Sequence, residues 1–467
     1  MSKIPVKNVT PEVKSLYVAR EKIQVREIHG FFQKIRSYSL WGLMALFFAT
    51  SWLNWSDRQA VLFDLPARQF HILGLTFWPQ DFFLLSGLLI IAAYGLFTIT
   101  NLAGRVWCGY TCPQSAWSFV FMWIEEKTEG SRNKRMKMDN AQMSAEKFLR
   151  RGAKHILWLL LALATGITFV GYFSPVRELV PNLLSFNLNS WEAFWIGFFA
   201  LATYMNAGWL REQVCIHMCP YARFQSVMFD QDTLIVSYDE KRGEGEKGRG
   251  PRKKGVDPQA EGLGDCIDCS LCVQVCPTGI DIRDGLQYQC IGCALCIDAC
   301  DSIMDKMGYE PGLVRYTTEH ELEGGTTHFF RPRLIGYSLV LFLMIAGLVY
   351  SMVSRTAFEL DVIRDRGALY QLTPNDTVQN TYTLKLMNMS QGELSYHIKI
   401  EGLDHVITDM PETVTLKSNK MRSFPINIEM DPKDLRESKT NIEFVIFEAA
   451  TNTEITREES RFIAPIN

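Results

Sequence analysis

Five blocks of the sequence, 37–55, 82–104, 156–176, 193–210 and 334–354, hold 18 to 23 residues each without an Asp, Glu, Lys or Arg. A helix needs about 20 such residues to cross roughly 30 Å of hydrocarbon, and core helices of soluble proteins are usually shorter and amphipathic. The blocks therefore predict five transmembrane helices. The small net charge of −3 hides this, because it averages apolar blocks with charged loops.

Orientation follows from the loop cations. Residues 1–36, 105–154 and 211–333 carry 8, 10 and 14 Lys or Arg, against 2 in 56–81 and 1 in 177–192. The N-terminus and the two cation-rich loops are expected in the cytoplasm, and everything after the fifth block outside. The charged first 36 residues do not read as a cleaved signal peptide. The first helix would then serve as its own insertion signal.

Eight of the twelve cysteines lie between positions 266 and 300. Cys266, Cys269, Cys272 and Cys276 form one C-x2-C-x2-C-x3-C run, followed by Pro277, and Cys290, Cys293, Cys296 and Cys300 form a second. This is the bacterial ferredoxin spacing, in which three thiolates hold one [4Fe–4S] cluster and the fourth crosses to the other. Cluster I is expected on Cys266, Cys269, Cys272 and Cys300, and cluster II on Cys290, Cys293, Cys296 and Cys276. A reducing compartment disfavours a disulfide framework, and zinc sites use paired C-x2-C motifs with a longer gap. Asp301 stands where the first run has Pro277, which puts a carboxylate near cluster I.

The other four cysteines form two C-x3-C-P motifs, Cys108, Cys112 and Pro113, then Cys215, Cys219 and Pro220. Each follows a predicted helix at its cytoplasmic end. The repeat of two helices and a motif suggests an internal duplication that would bring the four thiols to one site. Proline favours the first position of a helix, so Cys112 and Cys219 are expected at N-caps, where thiolate is favoured. Inert buried thiols, a soft-metal site such as Cu(I) with Met122, Met205 and Met218 as auxiliaries, a third iron–sulfur site and a thiol relay all fit the residues. Haem fits poorly. Only His155 and His217 lie at a helix end on this side, and no histidine is mid-span.

Residues 230–262, with seven Lys or Arg interleaved with glycine over 241–255, read as a flexible basic linker close to anionic lipid rather than a nucleic-acid site. Beyond 357 the pattern turns to period two: Tyr382, Leu384 and Leu386; Tyr396, Ile398 and Ile400; Phe424, Ile426, Ile428 and Met430; Ile442, Phe444 and Ile446. This predicts an immunoglobulin-like β-sandwich over 357–467, without cysteine and without a catalytic set. The expected architecture is a polytopic α-helical membrane protein. It has four helices within 37–229, a two-[4Fe–4S] ferredoxin-like domain over 263–330, a fifth helix and the outer sandwich.

Together, "WCGYTCPQ", "REQVCIHMCPYARFQ", the two ferredoxin runs and the outer β domain resemble the FixG/CcoG family across essentially the whole chain. These are cbb3-type cytochrome c oxidase accessory proteins of bacterial inner membranes. The resemblance implies reduction of Cu(II) to Cu(I) for oxidase assembly, with copper ions and oxidase assembly factors or subunits as partners. It implies Cys108, Cys112, Cys215 and Cys219 as the copper or redox site. A narrower similarity, to NapH-type membrane subunits, implies a quinol-linked electron relay. A non-enzymatic assembly scaffold is the third reading.

Overall fold

The computed structural model describes residues 22–56, 58–252, 254, 262–354, 358–365, 367–374, 376–390, 392–418, 420–434 and 437–465. The chain divides into two units, one of 1–49, 93–171 and 176–339 and one of 50–92, 172–175 and 340–467.

In the first unit, helix Phe31–Thr50 and helix Pro113–Glu129 contribute Leu40, Met44, Ala116, Phe119, Val120, Phe121 and Ile124 to one apolar core, joined by Trp158 and Ala162 from helix Ala145–Val170. Pro113 starts its helix at the first position, where its missing N–H costs nothing. Gly130, at φ +89°, stops it. Near that end the fully buried Glu125 carboxylate meets Arg211 at 2.7 Å, Lys22 at 3.0 Å, Arg135 at 3.3 Å and Lys154 at 3.7 Å. Burial alone would raise its pKa. Arg211, Lys22, Lys154 and Arg135 outweigh that and hold the carboxyl down at about 2. One charge thus ties together segments from residue 22 to residue 211.

Among the described residues three helices, Pro79–Ala103, Ala145–Val170 and Pro332–Val353, are long and apolar enough to cross a membrane, fewer than the five expected. The block at 37–55 falls in helix Phe31–Thr50, which contains Lys34 and Arg36 and ends before the block does. The block at 193–210 begins as helix Ser190–Thr203 and then widens into a π-helical segment, Tyr204–Leu210, so neither part alone is a long α-helix.

The expected linker also differs. Within 230–262, strand Ile235–Tyr238 pairs antiparallel with Val314–Thr317, and helix Glu240–Gly243 follows it. The linker's three arginines are docked rather than solvated, while Lys241, Lys247 and Lys254 stay exposed. Arg242 bonds Asp265 at 2.6 Å and the carbonyls of Glu310 and Pro311, Arg249 pairs with Glu244 at 3.1 Å, and Arg252 reaches the carbonyls of Gly264 and Cys266. Interleaved glycine and cation looked like a solvated chain because carbonyl partners are invisible in composition. Residues 253 and 255–261 of the expected linker, and 1–21 of the N-terminal tail, lie outside the described residues.

The second unit carries a β-sandwich. One sheet runs Ile407–Thr408, Met421–Met430, Val378–Asn388, Phe358–Arg364, and the other runs Thr413–Leu416, Leu394–Glu401, Lys439–Glu448, Glu454–Ile463. The alternating residues face inward: Tyr382, Leu384, Leu386, Tyr396, Ile426, Ile428, Phe444 and Ile446 are all buried in one core. Pro425 is tolerated because the neighbouring strand pairs only with Ile428 and Glu429, leaving that stretch of edge without a ladder partner. The outer strand Glu454–Ile463 is rich in charge and half exposed, and Asn380 and Tyr382 bond its backbone at Ile463 and Arg461, which guards that edge against pairing. Residues 61–77, expected as a loop, form a three-stranded sheet of Val61–Asp64, Gln69–Ile72 and Leu75–Phe77.

Candidate metal centres

The two ferredoxin runs fold alike because their backbones turn alike. Asp268 and Gly292 are left-handed at φ +52° and +62°, and so are Ser270 and Ala294 at +53° and +60°. Left-handed L-residues cost about 1–2 kcal/mol each, a cost met here by curling successive N–H groups towards the cysteines. The amide of Gly292 donates to Cys290 Sγ at 3.5 Å. Each curl leads into a helix, Leu271–Gln274 or Leu295–Met307.

The thiols line two cavities in a crossed arrangement. One is lined by Cys266, Cys269, Cys272 and Cys300, and the other by Cys276, Cys290, Cys293 and Cys296, with Cys272 on its wall. Cys276 and Cys300 thus each sit with the opposite run. Asp301 has a structural reason: Cys300 lies inside helix Leu295–Met307, where a proline would break the ladder. Its carboxylate instead accepts from the Gly312 amide at 2.8 Å.

The donor set suits a polynuclear core. A single ion at about 2.3 Å from several thiolates needs them within roughly 4 Å of one another. Among the described residues no three cysteine sulfurs lie within 4.8 Å of one another, whereas an iron–sulfur core holds its ligands further apart. Burial pushes the Cys272, Cys290 and Cys300 thiols up to about 12 and raises Cys296 well above its ordinary value. Ionising them there requires a cation in the same cavity, which a thiolate-ligated iron core supplies.

The second group of cysteines is built on helix starts. Cys112 and Cys219 are the N-caps of helices Pro113–Glu129 and Pro220–Val227, each with proline at the first position. Cys108 lies in the short helix Val106–Tyr110, and Cys215 in a π-helical turn, Val214–Met218. The structure brings the four together. The Cys215 thiol is close enough to feel Cys112, Cys108 and Cys219, and Cys108 feels Cys112 and Cys219. Burial pushes Cys215 up to about 12 and raises Cys108, while the Arg105 guanidinium, 4.0 Å from Cys108 Sγ, opposes the rise. The Cys108 thiol donates to Gln225 Oε1 at 3.3 Å, and Gln225 Nε2 donates to Thr100 at 3.1 Å. Met122 and Cys215 line one cavity, whereas Met205 and Met218 are exposed. His155 is bonded to Tyr204 at 2.8 Å, outside this group.

The two groups touch through backbone. A Cβ on Gly109 would stand 2.9 Å from Cys293 Cα and 3.0 Å from the Ile291 carbonyl, so only glycine fits between Cys108 and Tyr110. A Cβ on Gly292, itself left-handed, would stand 3.1 Å from the Arg105 carbonyl carbon. Tyr110 Oη donates across the contact to the Cys293 carbonyl at 3.2 Å, while Arg36 Nε braces the Gly109 carbonyl at 3.0 Å on one side and Tyr316 Oη the Gly292 carbonyl at 2.6 Å on the other. Arg105 bonds the Tyr288 carbonyl. Cys108 packs in the same apolar cluster as Cys293 and Ile291. Arg36, Arg105, Tyr110 and Tyr316 were not legible as site residues. The arginine preceding each motif was the only hint, and both π-helical segments, a form frequent at functional sites, gave no sequence signal.

Residues 210–319 match the family described as a 4Fe-4S dicluster domain, and residues 348–465 match the family described as an Ig-like fold at the C-terminus of FixG. The nitrogen fixation protein FixG of Rhizobium meliloti is 37% identical over 426 residues, covering 83% of this chain and 80% of that one. Protein RdxB of Cereibacter sphaeroides is 38% identical over 404 residues, covering 83% and 84%. A crystal structure of a FixG-related protein from Vibrio parahaemolyticus covers 24% of this chain and all of its own, at 28% identity and a TM-score of 0.22.

Proposed function

The chain belongs to the FixG family of iron–sulfur redox proteins, and on that premise we propose that it passes electrons from two [4Fe–4S] clusters to copper held at Cys108, Cys112, Cys215 and Cys219. The observation that carries the reading is the close approach of Gly109 and Cys293, which sets one motif against the loop of the second cysteine cavity. Clusters supply one-electron storage when bound. Cys269 is exposed while Cys293 is buried, so a cluster held at the first cavity would be the one open to a donor in solution, and one held at the second would stand nearer the C-x3-C-P motifs. The chain's own groups do the rest. Tyr110 and Arg105 bond across to the ferredoxin side, Arg36 and Tyr316 brace the two facing loops, and Arg105 also places positive charge beside Cys108. The four thiols offer the soft ligands that favour Cu(I) over Cu(II). Because no three of them converge within 4.8 Å, two at a time would hold the ion, or the others would close on it.

Cu(II) accepts one electron and leaves as Cu(I), which in this family reading serves oxidase assembly. The direct test is protein reduced without air, freed of reductant, and given Cu(II) with a Cu(I)-specific chelator. Clusters should reoxidise as Cu(I) accumulates, about two per chain. Clusters that reoxidise with quinone but not with Cu(II) would select the relay reading instead.

The crossed ligand scheme has its own readout. Protein purified without air should hold about eight irons per chain. Replacing Cys272 and Cys276 together should diminish the spectroscopic signals of both clusters. Loss of one alone would refute the crossing.

The reading includes five crossings of a bacterial inner membrane, with the ferredoxin domain cytoplasmic and the sandwich periplasmic. A single cysteine introduced at exposed Asp404 should label from outside intact cells, and one at exposed Glu246 only after permeabilisation. Both labelling from one side would mean an even number of crossings between them.

A further inference from the structure

Outside the cysteine groups, one cluster of ligating side chains converges among the described residues: Asp232, His320 and His328, whose ligand atoms lie within 4.8 Å of one another. We propose that these three side chains form a binding site for a divalent transition-metal ion of the zinc or copper(II) type, with one coordination position left open to solvent.

The geometry is close to what such an ion needs. Tetrahedral ligands at about 2.0–2.1 Å from an ion stand roughly 3.3 Å apart. His328 Nδ1 is 3.4 Å from Asp232 Oδ1, and His320 Nδ1 is 2.8 Å from the same oxygen. Of these two pairs an inserted ion has to spread only the second, by about half an ångström, and the two imidazole ligand atoms already lie within 4.8 Å of each other. The imidazole rings stand nearly perpendicular, at 83°, with centroids 5.7 Å apart. Both therefore turn an edge towards one carboxylate rather than stacking on each other.

The ligands are held in place by their own backbones. The Asp232 amide donates to Asp230 Oδ1 at 3.1 Å, and the His320 amide donates to the Gln231 carbonyl at 3.2 Å. The chain returns to deliver His328 through a hydroxyl pair between Thr318 and Thr327 at 2.8 Å. The His328 amide donates to Asp232 Oδ1 at 2.9 Å, orienting that carboxylate. Two imidazoles and a carboxylate suit zinc and copper(II), and three protein ligands leave a position for water or an exchanging ligand. His328 is 65% exposed against 13% for Asp232, so an ion can come and go. The assignment is independent of copper reduction: a protein that reduces no copper can still carry this site.

The test uses the full chain in detergent with its iron complement, equilibrated by dialysis against micromolar Zn(II). Wild type should retain one more zinc per chain than His328→Gln or Asp232→Asn, or bind that zinc about tenfold more tightly. Iron content should be equal in all three, and exposed His328 can change without unfolding the chain. Cu(II) loaded instead, with the clusters oxidised, should give a paramagnetic resonance split by two imidazole nitrogens in wild type and by one in His328→Gln. Equal zinc in wild type and variants overturns the site, as does a copper signal without nitrogen splitting.

Discussion

Replacing Cys112 or Cys219 with serine is expected to lower Cu(II) reduction by about a hundredfold while iron content stays at the wild-type level. A hydroxyl cannot replace a soft thiolate for Cu(I), and loss of a direct ligand should cost at least as much as the 10–100-fold typical of outer-shell changes. The fold should survive, because neither thiol makes a capping hydrogen bond and serine is a better N-cap than cysteine. The ferredoxin cysteines line separate cavities and keep their ligands. Replacing one cysteine from each motif should cost little more than either alone if all four thiols serve one site. The measurements are initial rates with a Cu(I) chelator and iron per chain. Undiminished reduction in the double variant would leave the four thiols as buried side chains without a role in transfer. Iron lost beyond the ferredoxin complement would make the site a third cluster.

The second large effect concerns stability. Glu125→Gln should lower the melting temperature of the solubilised protein by about 10 °C. The change leaves Arg211, Arg135 and Lys154 buried without their shared anion. Breaking a buried ion pair costs about 3–5 kcal/mol, and each kcal/mol moves the melting point by roughly 2–4 °C in a unit of this size. The pH dependence has a definite sign. The folded carboxyl is held at about 2, below its ordinary 4.5, so its stabilisation is fully present above 4.5 and is lost as pH falls through 2. Wild type should therefore approach the variant in melting temperature between those values, and a gap that persists at the acid end would point to packing rather than charge. Glu125→Asp, which keeps the charge but shortens the reach, should fall between the two.

Much of the molecule was legible because its constraints are local. The apolar blocks at 82–104, 156–176 and 334–354 announce helices that the structure places at Pro79–Ala103, Ala145–Val170 and Pro332–Val353. Proline after Cys112 and Cys219 announced two helix starts. Alternation at Tyr382, Leu384 and Leu386 announced which face of a strand is buried. The strand Glu454–Ile463 escaped notice because an edge strand carries no apolar alternation to read.

By itself the sequence determined what depends on spacing along one segment: the cysteine runs, the strand faces, the apolar helices and the capped motifs. Only the tertiary structure decided what depends on segments far apart. It set Gly109 against Cys293, gathered four cations on Glu125, docked the basic stretch after 240 onto carbonyls, and brought Asp232 to His320 and His328. The physical reason is that a single glycine, carboxylate or histidine has the same local signature whether it faces solvent or a partner. Its role is fixed by distance in space, and no periodicity along the chain records that.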